Sequence, residues 1–174
     1  MANTRVDAMS SSIIDLPEAE LREGLAVCLH VPRWVDDVAA RAPYASLAEL
    51  EEVARAAATP LAPEEVDQAL STHPRIGEKP SGESAAAKLS KVEQSSSASS
   101  DPDLDEALAT GNRAYEETFG RIFLIRAAGR SRTEILAELD RRLTLDPASE
   151  LAVVGEELRD IALLRIPQVF SSWS

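Results

Sequence analysis

Three polar side chains, distant from one another in the sequence, have the types needed for proton chemistry on an anion. The first is His73, in the stretch Ser71-Thr72-His73-Pro74-Arg75-Ile76-Gly77-Glu78-Lys79-Pro80, and it is one of two histidines in 174 residues. Pro74 disfavours helical geometry at His73, Gly77 supplies a turn and Pro80 delays the next helix. An imidazole on such a stiffened loop is well placed for acid/base work, although a polar connector with a solvated His fits the same letters. The second is Glu93, which continues the apolar stripe Ala86 and Leu89. The third is Arg165, the next member of the series Leu151, Val154, Leu158 and Ile161. Both charges start from core-facing positions, and a buried charge is costly unless it is paired or used. Spacing alone leaves another reading open: Arg165 snorkels near a helix end, and Glu93 lies beside an exposed Ser run. Together the three are an acid/base pair and an anion anchor.

The elements that must carry them read as helices throughout. Asp15-Leu16-Pro17-Glu18 opens a helix to about Cys28, and Pro32 begins a second. Ser46-Leu47-Ala48-Glu49 is a capping box, Thr59-Pro60 ends that helix, and Pro63 starts a short one through Leu70. Ser81 to about Gln94 is the helix of Glu93, and residues 95–100 read as a flexible, Ser-rich connector. Asp101-Pro102 caps a helix ending at Gly120. Ser131 caps one to about Leu145, and Asp146-Pro147 opens the last, which Pro167 closes. Between them Ile122-Phe123-Leu124-Ile125 is an apolar run without helical period. No repeat and no alternating strand pattern appears. The prediction is an all-α, compact single-domain bundle of about seven to nine helices spanning 1–174, with residues 1–12 a flexible N-terminus.

Composition narrows the function classes. Hydrophobic residues are 44% and aromatics 4%, so the core must be built from Ala, Leu, Val and Ile. The net charge of −12 argues against a nucleic-acid or anionic-membrane surface and means that an anionic substrate needs a local positive anchor. One cysteine, Cys28, excludes an internal disulfide, and two distant histidines do not make a metal site. Met1 to Ser12 carries no signal-peptide core, and Phe170 to Ser174 no Ser-Lys-Leu address, which predicts a cytoplasmic protein. Asn112 and Tyr115 share a helix face that could line a pocket, and Arg75 and Lys79 could draw an anion toward the loop. These residues alone reach only as far as an acidic helical enzyme or a non-enzymatic interaction module.

A resemblance carries the reading further. His73-Pro74-Arg75-Ile76-Gly77, Ser90-Lys91-Val92-Glu93-Gln94, Asn112-Arg113-Ala114-Tyr115 with Phe119-Gly120, Phe123-Leu124-Ile125, and Leu164-Arg165-Ile166 resemble, in this order, the motifs of the OHCU decarboxylases. That family acts on 2-oxo-4-hydroxy-4-carboxy-5-ureidoimidazoline, the last intermediate of urate breakdown to allantoin. The likeness runs from the Asp15 helix to Ile166; the Ser run after Gln94 departs from it. It implies an all-helical, cofactor-free lyase whose partner is a small anionic ureidoimidazoline, with a homodimer as the open oligomeric alternative. It further implies that His73 is the catalytic acid/base assisted by Glu93, that Arg165 anchors substrate, and that no metal takes part. Pro74, the segment Ser90, Lys91, Val92, Glu93 and Gln94, and the stretch Phe123, Leu124, Ile125, Arg126 and Ala127 would contact the ring and ureido group, the last largely through backbone. A carboxylate neighbour would raise the basicity of His73, making a protonated imidazole the proton donor.

Overall fold

The computed structural model describes residues 14–78 and 80–171; the expected flexible N-terminus at 1–12 and the side chain of Lys79 lie outside them. Eight helices follow in order: α1 (Glu18–Cys28), α2 (Pro32–Ala39), α3 (Leu47–Ala57), α4 (Pro63–Leu70), α5 (Ala85–Gln94), α6 (Pro102–Phe119), α7 (Arg132–Leu143) and α8 (Pro147–Phe170). The fold is all-α, and the only β-type pairing among the described residues is an isolated bridge between Ile14 and Tyr44. No helix among them is long and apolar enough to cross a membrane.

The starts of these helices follow from their capping chemistry. Ser46, Ser84, Asp101, Ser131 and Asp146 each accept a hydrogen bond from a first-turn N–H. Gly120 ends α6 in the left-handed region, at φ 69°, where a side chain would be strained. Four boundaries differ from the sequence expectation. Pro17, not Asp15, precedes α1 and makes no side-chain cap. The helix of Glu93 begins at Ala85 because Ser84, rather than Ser81, supplies the capping oxygen. Helix α7 stops at Leu143. Pro167 does not close α8, which runs on to Phe170, because Phe170 is buried in the core and draws the last turn inward.

The first half of the Ser run has regular structure. Ser95–Ser97 forms a 3-10 turn continuing α5, Ser97 is buried, and the Ser96 hydroxyl donates to the Ala127 carbonyl at 3.1 Å while accepting from the Gly129 N–H at 2.9 Å. Hydroxyls that find backbone partners across the fold order a segment that composition alone reads as loose.

Two apolar clusters organise the helices. The larger joins α1 to α4 with α8, around Trp34, Leu50, Val66, Val154 and Ile166. The smaller joins α6 and α7 through Leu108, Tyr115, Ile135 and Leu139, with Ile76 from the His73 loop. The apolar run after α6 is the seam between them. Phe123, Ile125 and Ala127 pack into the smaller cluster and Leu124 into the larger, the alternation expected of extended chain.

Candidate active site

His73 leaves the C-terminus of α4 on a turn, its N–H bonded to the Leu70 carbonyl at 3.1 Å. The loop beyond it is pinned at three points. Asn112 donates to the Ile76 carbonyl at 3.0 Å, the Gln94 side chain accepts from the Gly77 N–H at 3.2 Å, and Arg75 grips Glu116 through two bonds of 2.5 and 3.0 Å. Gly77 sits at φ +88°, so its conformation favours glycine, while a Cβ there would meet only the movable ends of Leu108 and Arg132 at 2.8 and 2.9 Å. The imidazole itself is half-buried and makes no hydrogen bond to any described residue.

Glu93 and Arg165 meet as a bidentate pair, Nε to Oε1 at 2.6 Å and Nη2 to Oε2 at 2.9 Å. Arg165 is 2% exposed, and it also donates to the Ser90 hydroxyl at 3.2 Å and to the Val27 carbonyl at 3.1 Å. The pair therefore ties α1, α5 and α8 together. Beside it Cys28 is buried, and that burial, opposed by Arg165, pushes its thiol up to about 12, so it fills space and is no nucleophile at neutral pH.

The electrostatics at His73 run opposite to the sequence expectation. Burial first, and the Arg165 guanidinium second, push the imidazole down to about 3. Glu93 does not raise its basicity, because the carboxylate is spent on Arg165. The resting imidazole is neutral, with both ring nitrogens available to a ligand.

The opposite wall is the seam. Its outer edge is held by side chains: Arg142 donates to the Leu124 carbonyl at 2.7 Å, and Glu157 accepts from the Arg126 N–H at 2.6 Å. Among the described residues no hydrogen bond uses the N–H or C=O of Ile125. Ile125 is one of the residues that line the cavity.

His73, Pro74, Ser90, Glu93, Gln94 and the stretch Phe123 to Ala127 line one small cavity, together with Ile76, Ile161 and Leu164. Two expected contacts lie elsewhere: Lys91 and Val92 project from the outer face of α5, Val92 being 61% exposed. Toward the C-terminal end of α5, Ser90, Glu93 and Gln94 occupy the inner face, and a helix cannot turn five consecutive residues toward one cavity. Arg165 stands behind Glu93 and is not itself a lining residue. Tyr115 lies in the smaller core, and Asn112 braces the loop. His30 is exposed.

Sequence reasoning missed Arg142 and Glu150, a fully buried pair with Nη2 to Oε1 at 2.5 Å. The signal was present: Ile135, Leu139 and Arg142 form the same kind of stripe that singled out Arg165.

The family model described as OHCU decarboxylase matches residues 15–167. The chain belongs to the OHCU decarboxylase family. It is 27% identical over 149 residues to the 2-oxo-4-hydroxy-4-carboxy-5-ureidoimidazoline decarboxylase of Haloferax volcanii, covering 82% of this chain and 84% of that one. It is 37% identical over 107 residues to the uric acid degradation bifunctional protein TTL of Arabidopsis thaliana, covering 60% of this chain but spanning only a third, 33%, of the plant protein. A crystal structure of an OHCU decarboxylase in the presence of (S)-allantoin matches with a TM-score of 0.73 at 29% identity, over 86% of this chain and 98% of the other. An (S)-allantoin synthase structure, at 18% identity and TM-score 0.64, covers 90% of this chain and 52% of its own and shares the fold. This is a decarboxylase, hence lyase, family.

Proposed function

We propose that this chain decarboxylates 2-oxo-4-hydroxy-4-carboxy-5-ureidoimidazoline to (S)-allantoin without a cofactor, with His73 as the group that moves the proton. The observation that carries this is an imidazole without protein hydrogen bonds on a cavity also lined by Glu93, which Arg165 holds from behind, and by the stretch Phe123 to Ala127.

The chemistry follows from the substrate. A carboxylate and a hydroxyl share one ring carbon next to a C=N bond. As CO₂ leaves, its bonding pair moves into the ring, the C=N pair passes to nitrogen, and that nitrogen takes a proton from water. An enol remains. Its hydroxyl must lose a proton to become the product carbonyl, and the adjacent carbon must gain one. Neutral His73 can accept the first and return it as the second. A proton delivered from one side creates one hand of product. Glu93, held rigid by Arg165, orients the polar groups of the ring, and the stretch Phe123 to Ala127 takes the ureido arm. Arg165 acts through Glu93, since four of its hydrogen bonds are committed within the protein.

The test is to generate the substrate in situ from urate and follow circular dichroism. The expected result is faster loss of the intermediate with accumulation of one allantoin enantiomer; a racemic product at the uncatalysed rate rejects the reading. The cytoplasmic location belongs to the same proposal and is checked by cell fractionation, as gel filtration checks monomer against homodimer.

A further inference from the structure

A molecule of net charge −12 that takes an anionic substrate needs one cation at the site that is not already spent. Arg165 does not meet that need. It is 2% exposed, both of its contacts with Glu93 are short, and its remaining bonds go to Ser90 and Val27. Its guanidinium is paired with Glu93 and its donors are committed within the protein, so it has no free fork to offer a carboxylate. Lys91 is exposed on the outer face of α5 and does not line the cavity.

Arg126 differs on each count. It is the one cationic residue among those lining the cavity. It is half-buried, and its guanidinium makes no hydrogen bond or ion pair with any described residue. Its backbone is nevertheless fixed, because Glu157 on α8 accepts its N–H at 2.6 Å. A guanidinium without a protein partner is free to take an anion, and its planar fork matches a carboxylate through two parallel bonds. We infer that Arg126 is the residue that binds the carboxylate of the substrate, the task that sequence reasoning gives to Arg165.

This assignment rests on the decarboxylase reading and makes a specific kinetic statement. The carboxylate loses its charge as CO₂ departs, so Arg126 grips the ground state at least as firmly as the transition state. Its removal should then appear in KM rather than kcat. Allantoin has lost the carboxylate and should bind as before.

The experiment compares wild type, Arg126→Gln and Arg126→Lys for turnover of substrate generated from urate and for competitive inhibition by (S)-allantoin. The expected result for Arg126→Gln is a KM raised about tenfold or more with kcat changed by less than about threefold. Arg126→Lys should recover part of the loss, and the inhibition constant of allantoin should stay within about twofold in both variants. An unchanged KM in Arg126→Gln overturns the proposal. So does a parallel weakening of substrate and allantoin, which marks a displaced wall rather than a lost ion pair. Wild-type turnover is the separate check on the decarboxylase reading: if it is present, either adverse result counts against Arg126 alone, and if it is absent, both proposals fall.

Discussion

The molecule contains two buried Arg–Glu pairs with opposite surroundings. Arg142 and Glu150 are both 0% exposed, inside the smaller core. Glu150 Oε1 accepts from Arg142 Nε at 2.8 Å, from Arg142 Nη2 at 2.5 Å and from the Tyr115 hydroxyl at 2.5 Å, and the guanidinium lies 4.7 Å from the Phe123 ring centre. Arg165 and Glu93 share the same chemistry, but Glu93 lines a cavity and its side chain keeps 11% exposure. The difference teaches that burial of an ion pair does not mark a site; adjacency to a space does. The core pair also serves the site from a distance, since Arg142 holds the Leu124 carbonyl and with it the seam that forms one wall.

Breaking the two pairs should separate stability from activity. The largest effect is expected from Arg142→Met, which strands Glu150 without a counter-charge and should cost about 3–5 kcal/mol in urea unfolding. A loss under about 1 kcal/mol would mean that the core pair is energetically idle. Adding Glu150→Leu should recover much of the loss, because an apolar replacement removes the stranded charge. At the site, Glu93→Gln keeps an acceptor for Arg165 and faces a cavity that water can enter, so about 1–3 kcal/mol is expected. Its kcat should nevertheless fall about tenfold or more, since the carboxylate orients the ring. If both variants behaved alike in stability and rate, the distinction between the pairs would vanish.

Two pH experiments sharpen the contrast at smaller amplitude. The native imidazole of His73 sits near 3 while an unfolded one titrates near 6.5, so between these values the unfolded chain binds more protons. Wild-type stability should therefore decline as pH falls from about 6.5 toward 3, and His73→Asn should flatten that decline. An identical slope in both proteins would place the imidazole in ordinary solvent. In turn, kcat/KM should stay level through the usual histidine range around pH 6 to 8, because the resting base is already neutral. A loss of kcat/KM as pH rises through 7 would restore the protonated imidazole that the sequence suggested.

Much of this was legible in the letters. The helices were, because capping residues and Pro at first turns act locally. Glu93 and Arg165 were, because charge on an apolar stripe is a contradiction visible without coordinates. What the letters hid were the relations between elements. Nothing in Leu164-Arg165-Ile166 says that Glu93 will consume the guanidinium, and so nothing says that His73 will feel Arg165 rather than a carboxylate. The Ser run reads as loose until Ser96 meets Ala127 and Gly129 from a segment some thirty residues away. Arg126 had a place in the site only as backbone, and its side chain gains meaning once the other cation is accounted for.

The central claim is that one imidazole carries the proton, and replacing it is the direct test. His73→Asn should keep its fold at neutral pH and lose about 10²- to 10⁴-fold in the rate at which (S)-allantoin appears from freshly made intermediate. If that variant turned the intermediate over at the wild-type rate and with the same handedness, the proton would come from elsewhere and this account of the site would be wrong.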